Sequence, residues 1–576
     1  MGLLNSALQI GRSALLSYQG ALQTVGNNIS SAGSPDYTRL APQLDPLQGS
    51  LVANDLQPGA GVALTSIQRY IDEALEGRLR LAIGGQEQAA TRQVNLVQVE
   101  SYFDDLSGAG VGSVLIEFWS RFDELQNNPE DLAVRDLVVS GGARLADSLG
   151  TLRSQLADLG ADIDGQIADV VAQADDLARQ IANLNEQIST TEAGRRSQAT
   201  ALRDQRDAIL RQLSQILDIT VREQPDGSLN VYAGSEAIVQ AASARQLIAV
   251  QSIDGEFVRS SIRFADTNQQ LQVRGGRLAG LIEAREQDAY GQIAAVDRLA
   301  EAIISDVNRV HADGQGRVGF TSVIGDYDML DTDVALNSTA AGLAFPPQSG
   351  SFYVTVADDA TGTPVAYRIE IDLDGVGTDT TLQSLVDDFN SQVTGATASI
   401  TSDNRLSISA DAGFSFTFGY DGQTARSDTS HVLAALGINT FFSGTDASSI
   451  AVSQTLRDRP SLVAAASVFL PGDGLNAGRL AGLGSATSDR LGDTSLVGFF
   501  NSISNSIAVA GSAVNADVEA SSSILTSLQA QKESISGVNL DEEAIALLKF
   551  QRAFQGATRF ISVVDDLLSE LIALIR

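Results

Sequence analysis

Two stretches hold carboxylates at spacings that could take a divalent cation. They are Asp372-Leu373-Asp374-Gly375 and Asp326-Tyr327-Asp328 with Asp331 and Asp333. A calcium loop of this type closes on a bidentate glutamate, with ligands at alternate positions, and neither stretch does so. Aspartate near glycine also builds turns by accepting backbone amides, and the spacing points to that chemistry, with no metal set expected. His311 and His431 are the histidines, and cysteine is absent. That excludes thiolate metal sites and disulfides and makes a His-rich zinc site unexpected. No glycine-rich loop ends in Gly-Lys-Ser/Thr, and there is no His-Glu-x-x-His pair. Nothing marks a catalytic residue or a cofactor ligand, so the chain is expected not to be an enzyme.

The strongest pattern lies at the two ends. Leu4, Leu8, Gly11, Leu15, Tyr18, Leu22, Val25 and Ile29 are spaced four and three in alternation. The same alternation runs through Leu547, Phe550, Phe554, Ala557, Ile561, Val564, Leu568, Leu571 and Ile575. This is the a/d seam of a coiled coil, sustained for about four heptads on each side. So narrow a seam leaves each helix in need of a partner, and the other end of the chain is the expected one. These residues are the expected assembly seam.

Composition bounds the rest. The 576 residues are 43% hydrophobic and 5% aromatic, which suits long helices. Net charge is −33, and Lys532 and Lys549 are the only lysines among the cations. That balance argues against nucleic acid, which needs a basic stripe. No transmembrane helix is expected, nor a basic n-region followed by an apolar segment, so no membrane partner is expected. Met1-Gly2-Leu3-Leu4-Asn5-Ser6 fits a short myristoylation pattern, and Asn28-Ile29-Ser30 and Asn337-Ser338-Thr339 fit the glycosylation triplet. Both patterns are short enough to arise by chance.

Taken in order, the first helix is expected over about Leu3 to Ile29, stopped by Gly33 and Pro35. A strand-poor arm with Pro42, Pro46 and Pro58 follows. Helices are expected from Ile67 to Ser101, around Phe118, Trp119 and Phe122, from Leu132 to Ile188 and from Arg196 to Leu217, with Gly194 at the last turn. The aromatic trio at helical spacing is expected to be core. Alternation at Ile219-Thr220-Val221, Leu229-Asn230-Val231-Tyr232 and Ser261-Ile262-Arg263-Phe264 predicts a β layer over about 219–274. A helix from Leu278 to His311 returns the chain to the body. Residues 351–356, 367–371 and 414–418 read as strands of an insertion, with a helix near 382–393. The fold class is α+β: terminal helices paired as a coiled coil (1–33 and 539–576), a long-helix rod body (34–324 and 445–538), and an inserted, mostly β outer domain (325–444).

The stop after the first helix also carries a signature. Asn28, Ile29, Ala32, Pro35, Tyr37 and Arg39 resemble the segment after the first helix of bacterial flagellar axial proteins, the rod, hook and hook-associated proteins. Where that family usually reads Asn-Thr-Pro-Gly-Tyr, this chain reads Gly33-Ser34-Pro35-Asp36-Tyr37. Near the other end, Ser536-Gly537-Val538-Asn539-Leu540-Asp541-Glu542-Glu543 puts three acids at a helix start, where the dipole favours them. It is similar to the C-terminal signature of the hook-associated proteins. Residues 436–444 (Leu-Gly-Ile-Asn-Thr-Phe-Phe-Ser-Gly) and 472–477 (Gly-Asp-Gly-Leu-Asn-Ala) also resemble segments of that family. The resemblance covers both ends and the helical body, and hardly touches 325–430.

The resemblance implies a structural subunit of the bacterial flagellum at the junction of hook and filament. Its motif residues would be Asn28, Pro35, Tyr37, Arg39, Gly537, Asn539, Asp541, Glu542 and Glu543. Implied partners are further copies of the chain, the hook protein, a second hook-associated junction protein and a flagellar export chaperone. The implied location is the extracellular flagellum, reached unfolded through type III export, which a chain without disulfides suits. Another axial protein such as the hook protein is an alternative, though long helices between Leu132 and Leu217 do not suit a subunit that is mostly β outside its ends. An extracellular adhesin or enzyme module on the same scaffold is another.

Overall fold

The computed structural model describes residues 2–34, 36–48, 59–104, 110–193 and 199–575. Pro35 and the expected turn at Gly194 lie outside them. The elements run α1 (Gly2–Ser30), β1 (Leu40–Pro46), β2 (Val62–Arg69), α2 (Glu73–Phe103), α3 (Val111–Asn127), α4 (Leu132–Thr191) and α5 (Thr200–Ile216). Strands β3 (Ile219–Glu223), β4 (Leu229–Ala233), β5 (Glu236–Gln240), β6 (Ser243–Ala244), β7 (Leu247–Asp254) and β8 (Phe257–Phe264) follow. Then come α6 (Gly276–Glu283), a π-helical stretch Ala284–Tyr290, α7 (Gly291–Ala312), β9 (Ser322–Ile324), β10 (Gly350–Asp358), β11 (Pro364–Ile371), α8 (Leu382–Gln392), β12 (Ala396–Ile400), β13 (Leu406–Ala410) and β14 (Phe414–Phe418). The chain ends with the short α9 (Val432–Ala435), α10 (Gln454–Asp458) and α11 (Leu475–Gly482), then α12 (Leu496–Ser536) and α13 (Leu540–Ile575).

The chain divides into two compact units, Met1–Asn95 with Ala161–Ala284 and Ser512–Arg576, and Leu96–Gly160 with Arg285–Gly511. This division differs from the expected three parts, because the boundaries fall inside helices, where no turn signal marks them in sequence.

In the first unit, the arm after α1 is not strand-poor. β1 and β2 form an antiparallel pair from Leu40↔Arg69 to Pro46↔Val62, with a bulge at Gln43/Leu44. A two-stranded ribbon leaves one edge of each strand unpaired, and that is where proline is tolerated. β2 also occupies the expected start of the second helix. That helix begins later, where Asp72 Oδ1 accepts the amides of Ala74 (3.0 Å) and Leu75 (3.1 Å). The β layer is a four-stranded sheet in order β3-β4-β5-β6 and a separate hairpin β7-β8. Helix α4 holds both through three side chains about three turns apart. Asp164 Oδ1 accepts the Ser260 amide (2.8 Å), Asp175 Oδ1 the Leu247 amide (2.9 Å), and Asn185 Oδ1 the Leu229 amide (3.1 Å). Arg206 of α5 is fully buried, donating to Asn185 Oδ1 (2.9 Å) and the Gly227 carbonyl (2.8 Å). Burial pushes its pKa down to about 10.

The second unit has its core around α3 and α7. Phe118 and Phe122 are fully buried, with Phe441 and Phe442 5.6 Å from the Phe118 ring. The sequence-expected insertion boundary at 444 therefore passes through this core, since Phe441 and Phe442 belong to it. The second unit also holds two three-stranded sheets, β11-β10-β14 and β12-β13-β9. Helix α8 starts in a capping box, with Thr381 Oγ1 accepting the Ser384 amide and Ser384 Oγ accepting the Thr381 amide.

The expectation of no membrane-length apolar helix needs one correction. A window within Leu496–Ala573 is long and apolar enough by composition to cross a membrane, and 28% of it is buried. Its buried residues Leu496, Phe500, Ile503 and Ile507 form one stripe at steps of four and three, and serine and asparagine stand between them. That is the pattern of an amphipathic helix with one packed face.

Candidate assembly site at the chain ends

Helices α1 and α13 pack along each other. Val25 and Val564 of the expected seam are buried, and Leu4, Leu8, Leu15, Leu22, Ile29, Leu547, Phe550, Phe554, Ile561, Leu568 and Leu571 are half-buried. The side chain of Ile575 is outside the described residues. The contact is close at Gly11, where an added Cβ would come within 2.6 Å of Ile561 Cγ1. Glycine there is the hole and Ile561 the knob.

The second apolar face is a feature the seam pattern does not contain. On α13, Ile545, Leu548, Phe560, Val563, Leu567 and Ile572 are 42–69% exposed, and Leu16 of α1 is 57% exposed. Ile545, Leu548, Phe560, Val563 and Leu567 fall on one side of α13 away from the seam, and Ile572 stands beside the seam residue Leu571. Heptad reading assigned them to the polar remainder, although their residue types were visible in sequence.

The base of the pair is a polar lock built from the two end signatures. Asn28 is buried at the end of α1. Its Nδ2 donates to the Leu40 carbonyl (2.8 Å) and to Glu543 Oε2 (2.9 Å). Its Oδ1 accepts from the Leu40 amide (3.0 Å) and the Tyr37 hydroxyl (2.8 Å). Both N–H groups and both oxygen lone pairs of the amide are used. Glu543, with its side chain 2% exposed, receives Arg39 Nε at 2.8 Å, and Arg39 Nη1 reaches Glu542 at 3.0 Å. The Arg39 amide donates to the Ser536 carbonyl at 2.9 Å, and its guanidinium lies over the Tyr70 ring. Burial, then Asp204 and Glu543, pushes the Tyr37 hydroxyl up to about 12, so it stays a donor.

The remaining motif residues shape the turn into α13. The Gly537 amide donates to the Glu533 carbonyl at 2.9 Å, and an added Cβ would meet that oxygen at 2.3 Å. Asn539 Oδ1 accepts the Asp541 amide (3.0 Å) and caps α13, and Asp541 stands exposed in the first turn. Pro35 is outside the described residues. Asp36, the departure from the family pattern, pairs with Arg211 at 2.6 Å, and Arg211 also reaches the buried Glu76. The arm is thus tied to α5 by a charge pair that glycine could not make.

The two inner family segments meet at the end of α7. Asn439 Nδ2 donates to the carbonyls of His311 (3.3 Å), Ala312 (3.2 Å) and Gly314 (3.0 Å), and Asn476 Nδ2 donates to that of Val310 (3.1 Å). Those of Val310, His311 and Ala312 belong to the last turn of α7, where a helix leaves carbonyls without an intrahelical partner. His311 is fully buried, with Nδ1 donating to the Asn439 carbonyl (2.7 Å) and Nε2 accepting the Ala464 amide (3.0 Å). Burial lowers its pKa to about 4.

The carboxylates that could take a cation serve turns. Asp372, Asp374 and Asp379 lie within 4.8 Å of one another, and they accept the amides of Asp374 (3.4 Å), Val376 (2.7 Å) and Gly375 (3.0 Å) respectively. Asp331 accepts the Asp333 amide at 2.9 Å, and Asp326 accepts from Thr440 Oγ1 at 3.2 Å. Among the described residues, Asp326, Asp328, Asp331 and Asp333 form no ligating set. Of the glycosylation triplets, Asn28 is spent in the lock, and Asn337 Nδ2 donates to the Leu373 carbonyl at 3.2 Å.

Residues 96–322 match the family described as the flagellar hook-associated protein FlgK helical domain, and 529–574 match the flagellar basal body rod FlgEFG protein C-terminal family. The flagellar hook-associated protein 1 of Salmonella typhimurium is 26% identical over 99% of this chain and 100% of its own length. That of Escherichia coli K12 is also 26% identical, with the same coverage. That of Bacillus subtilis is 25% identical over 54% of this chain and 68% of its own. A solved structure, the flagellar hook junction protein FlgK from Burkholderia pseudomallei, matches over 80% of this chain and 100% of its own at 18% identity and a TM-score of 0.49. The helical body and the C-terminal segment thus match flagellar family models, and the chain is similar to the flagellar hook-associated protein 1 of Salmonella typhimurium and of Escherichia coli over the full length of each.

Proposed function

We propose that the chain is the structural subunit that joins hook to filament, assembled as a ring through its terminal helices. The observation that carries this reading is the second apolar face. The lock holds α1 and α13 together, so the seam is used within one chain, yet Ile545, Leu548, Phe560, Val563, Leu567 and Ile572 stay uncovered. Large apolar side chains left exposed on one side of a helix mark a protein contact. Neighbouring copies of the chain cover it in the ring, with the hook protein on one side and a second hook-associated junction protein on the other. A flagellar export chaperone covers the same helices before secretion, and the chain travels unfolded through type III export to the extracellular flagellum. Its relatives are flagellar structural proteins, and no catalytic role is assigned. The terminal helices and lock make the assembly module, the long helices the body, and the strands of the second unit the outer surface.

The test is Val563→Glu with Leu567→Glu. Both side chains are about half exposed, so the purified protein keeps its melting curve within about 0.5 kcal/mol, as surface changes do. In cells, hooks should form without filaments, with flagellin in the medium. Normal filaments in the double variant would refute the reading.

A further inference from the structure

The sheet β11-β10-β14 carries large side chains on one face and small ones on the other. Val354 opposite Phe418 and Val356 opposite Phe416 make the packed face, and all four are buried. On the other face, Thr355 stands opposite Thr417 and Ala357 opposite Ser415. Alternation along a strand sends successive side chains to opposite faces, so this face holds only small side chains at its centre. A cavity of about 400 Å³ opens over it, lined by these four together with Asp359 and Phe469. Its size falls within the roughly 300–1,000 Å³ of small-molecule sites.

The lining combines two kinds of surface. Phe469 is 43% exposed, an uncommon state for a phenylalanine that nothing else covers. Asp359 Oδ1 accepts the Ser415 hydroxyl at 2.9 Å, and its carboxylate makes no ion pair among the described residues. A flat apolar ligand would take the Asp359 carboxylate out of water with its remaining lone pairs unmet, which is costly. A bare cation would make no use of the ring. An anion would meet an unneutralised carboxylate. A sugar ring suits all three features. Its hydroxyls donate to the remaining lone pairs of Asp359 and to Ser415 Oγ, its C–H face lies on an aromatic ring, and its flat body needs a floor without bulky side chains.

We propose that this cavity is a binding site for a neutral pyranose. None of its residues belongs to the terminal helices or the lock, so the site stands or falls independently of assembly.

The experiment is saturation-transfer NMR on the full chain with the methyl glycosides of glucose, galactose, mannose and N-acetylglucosamine. Each is tested to about 10 mM, since single-sugar sites bind near a Kd that corresponds to about −4 kcal/mol. At least one glycoside should show saturation on its ring C–H protons. In Phe469→Ala its Kd should rise about three- to tenfold, the worth of one aromatic stack. Asp359→Asn should weaken binding as well, Phe469→Trp should retain it, and Ser415→Leu, which fills the floor, should abolish it. Phe469 and Asp359 are exposed, so unchanged circular-dichroism melting is expected in their variants and checks that they remain folded. The proposal is overturned if no glycoside saturates, or if saturation is the same in Phe469→Ala and Asp359→Asn as in the parent.

Discussion

Asn28 donates its side-chain amide to Glu543 at 2.9 Å across 515 positions of sequence. That bond joins the end of the first helix to the first turn of the last. A buried acceptor deprived of its donor costs more than an average hydrogen bond contributes.

Asn28→Ala strands the Tyr37 hydroxyl, both backbone groups of Leu40 and one oxygen of Glu543 at once. It should cost about 2–3 kcal/mol in the first unit. Glu543→Gln, which keeps the shape but removes the charge facing Arg39, should cost less. Hydrogen exchange reads the effect directly, since amides in the first turns of α13 should exchange faster in Asn28→Ala. Unchanged exchange there would mean that the lock does not hold α13.

Ile561 sits against Gly11, so the seam can be attacked from either helix. Gly11→Leu puts a side chain where 2.6 Å separates a bare Cβ from Ile561. Ile561→Asp removes the aliphatic group, worth about 2–5 kcal/mol at a buried site and less at a half-buried one, and adds a charge. Both should lower terminal helicity in the purified monomer. Ser562→Asp, one position along on an exposed site, should not. Equal circular dichroism in all three would rule out α1–α13 pairing in the free chain.

His311 should make the second unit acid-sensitive. Its folded pKa of about 4 lies below its ordinary 6.5 because burial disfavours the charged ring, and the Arg135 guanidinium nearby adds to the effect. Between those values the unfolded chain binds the extra proton and the folded chain does not, so its contribution is full above pH 6.5 and falls as pH drops toward 4. The span is about 3 kcal/mol. Asp428 opposes it, since burial raises its carboxyl to about 6 and its contribution is lost as pH rises through that value. Comparing the parent with His311→Gln cancels Asp428. The variant should be less stable at pH 7, and the gap should narrow by about 2–3 kcal/mol at pH 4.5. A gap independent of pH would show that His311 titrates normally.

Two deletions locate the separable outer part. The Gln348 amide donates to the Ser430 carbonyl at 2.9 Å, so the chain enters and leaves β10 to β14 at one point. Replacing 351–427 by a short Gly/Ser linker should leave the helices of the second unit folded. Replacing 330–440 also removes Asn439 and Ile438, the cap and packing at the end of α7, and should abolish its cooperative melting. Equal melting of both would place Asn439 outside the core.

What the chain encodes locally could be read from it directly. The four-three alternation, the Asn539 cap before three acids and the period-two strands are properties of neighbouring residues, and a helix or strand expresses them wherever it sits. The long terminal helices, the α+β class and the aromatic core of α3 were legible for that reason. Three things were decided only in three dimensions. One is the bond between Asn28 and Glu543, since a buried polar side chain takes whichever partner chain closure brings within about 3 Å. Another is that Ile545, Leu548, Phe560, Val563 and Leu567 of α13 stay uncovered, since the alternation leaves them outside the seam and only packing shows that the chain puts nothing over them. The last is the grip of Asp164, Asp175 and Asn185 on the β layer. Their spacing reads as an ordinary solvated helix face until the strands arrive with amides that need acceptors.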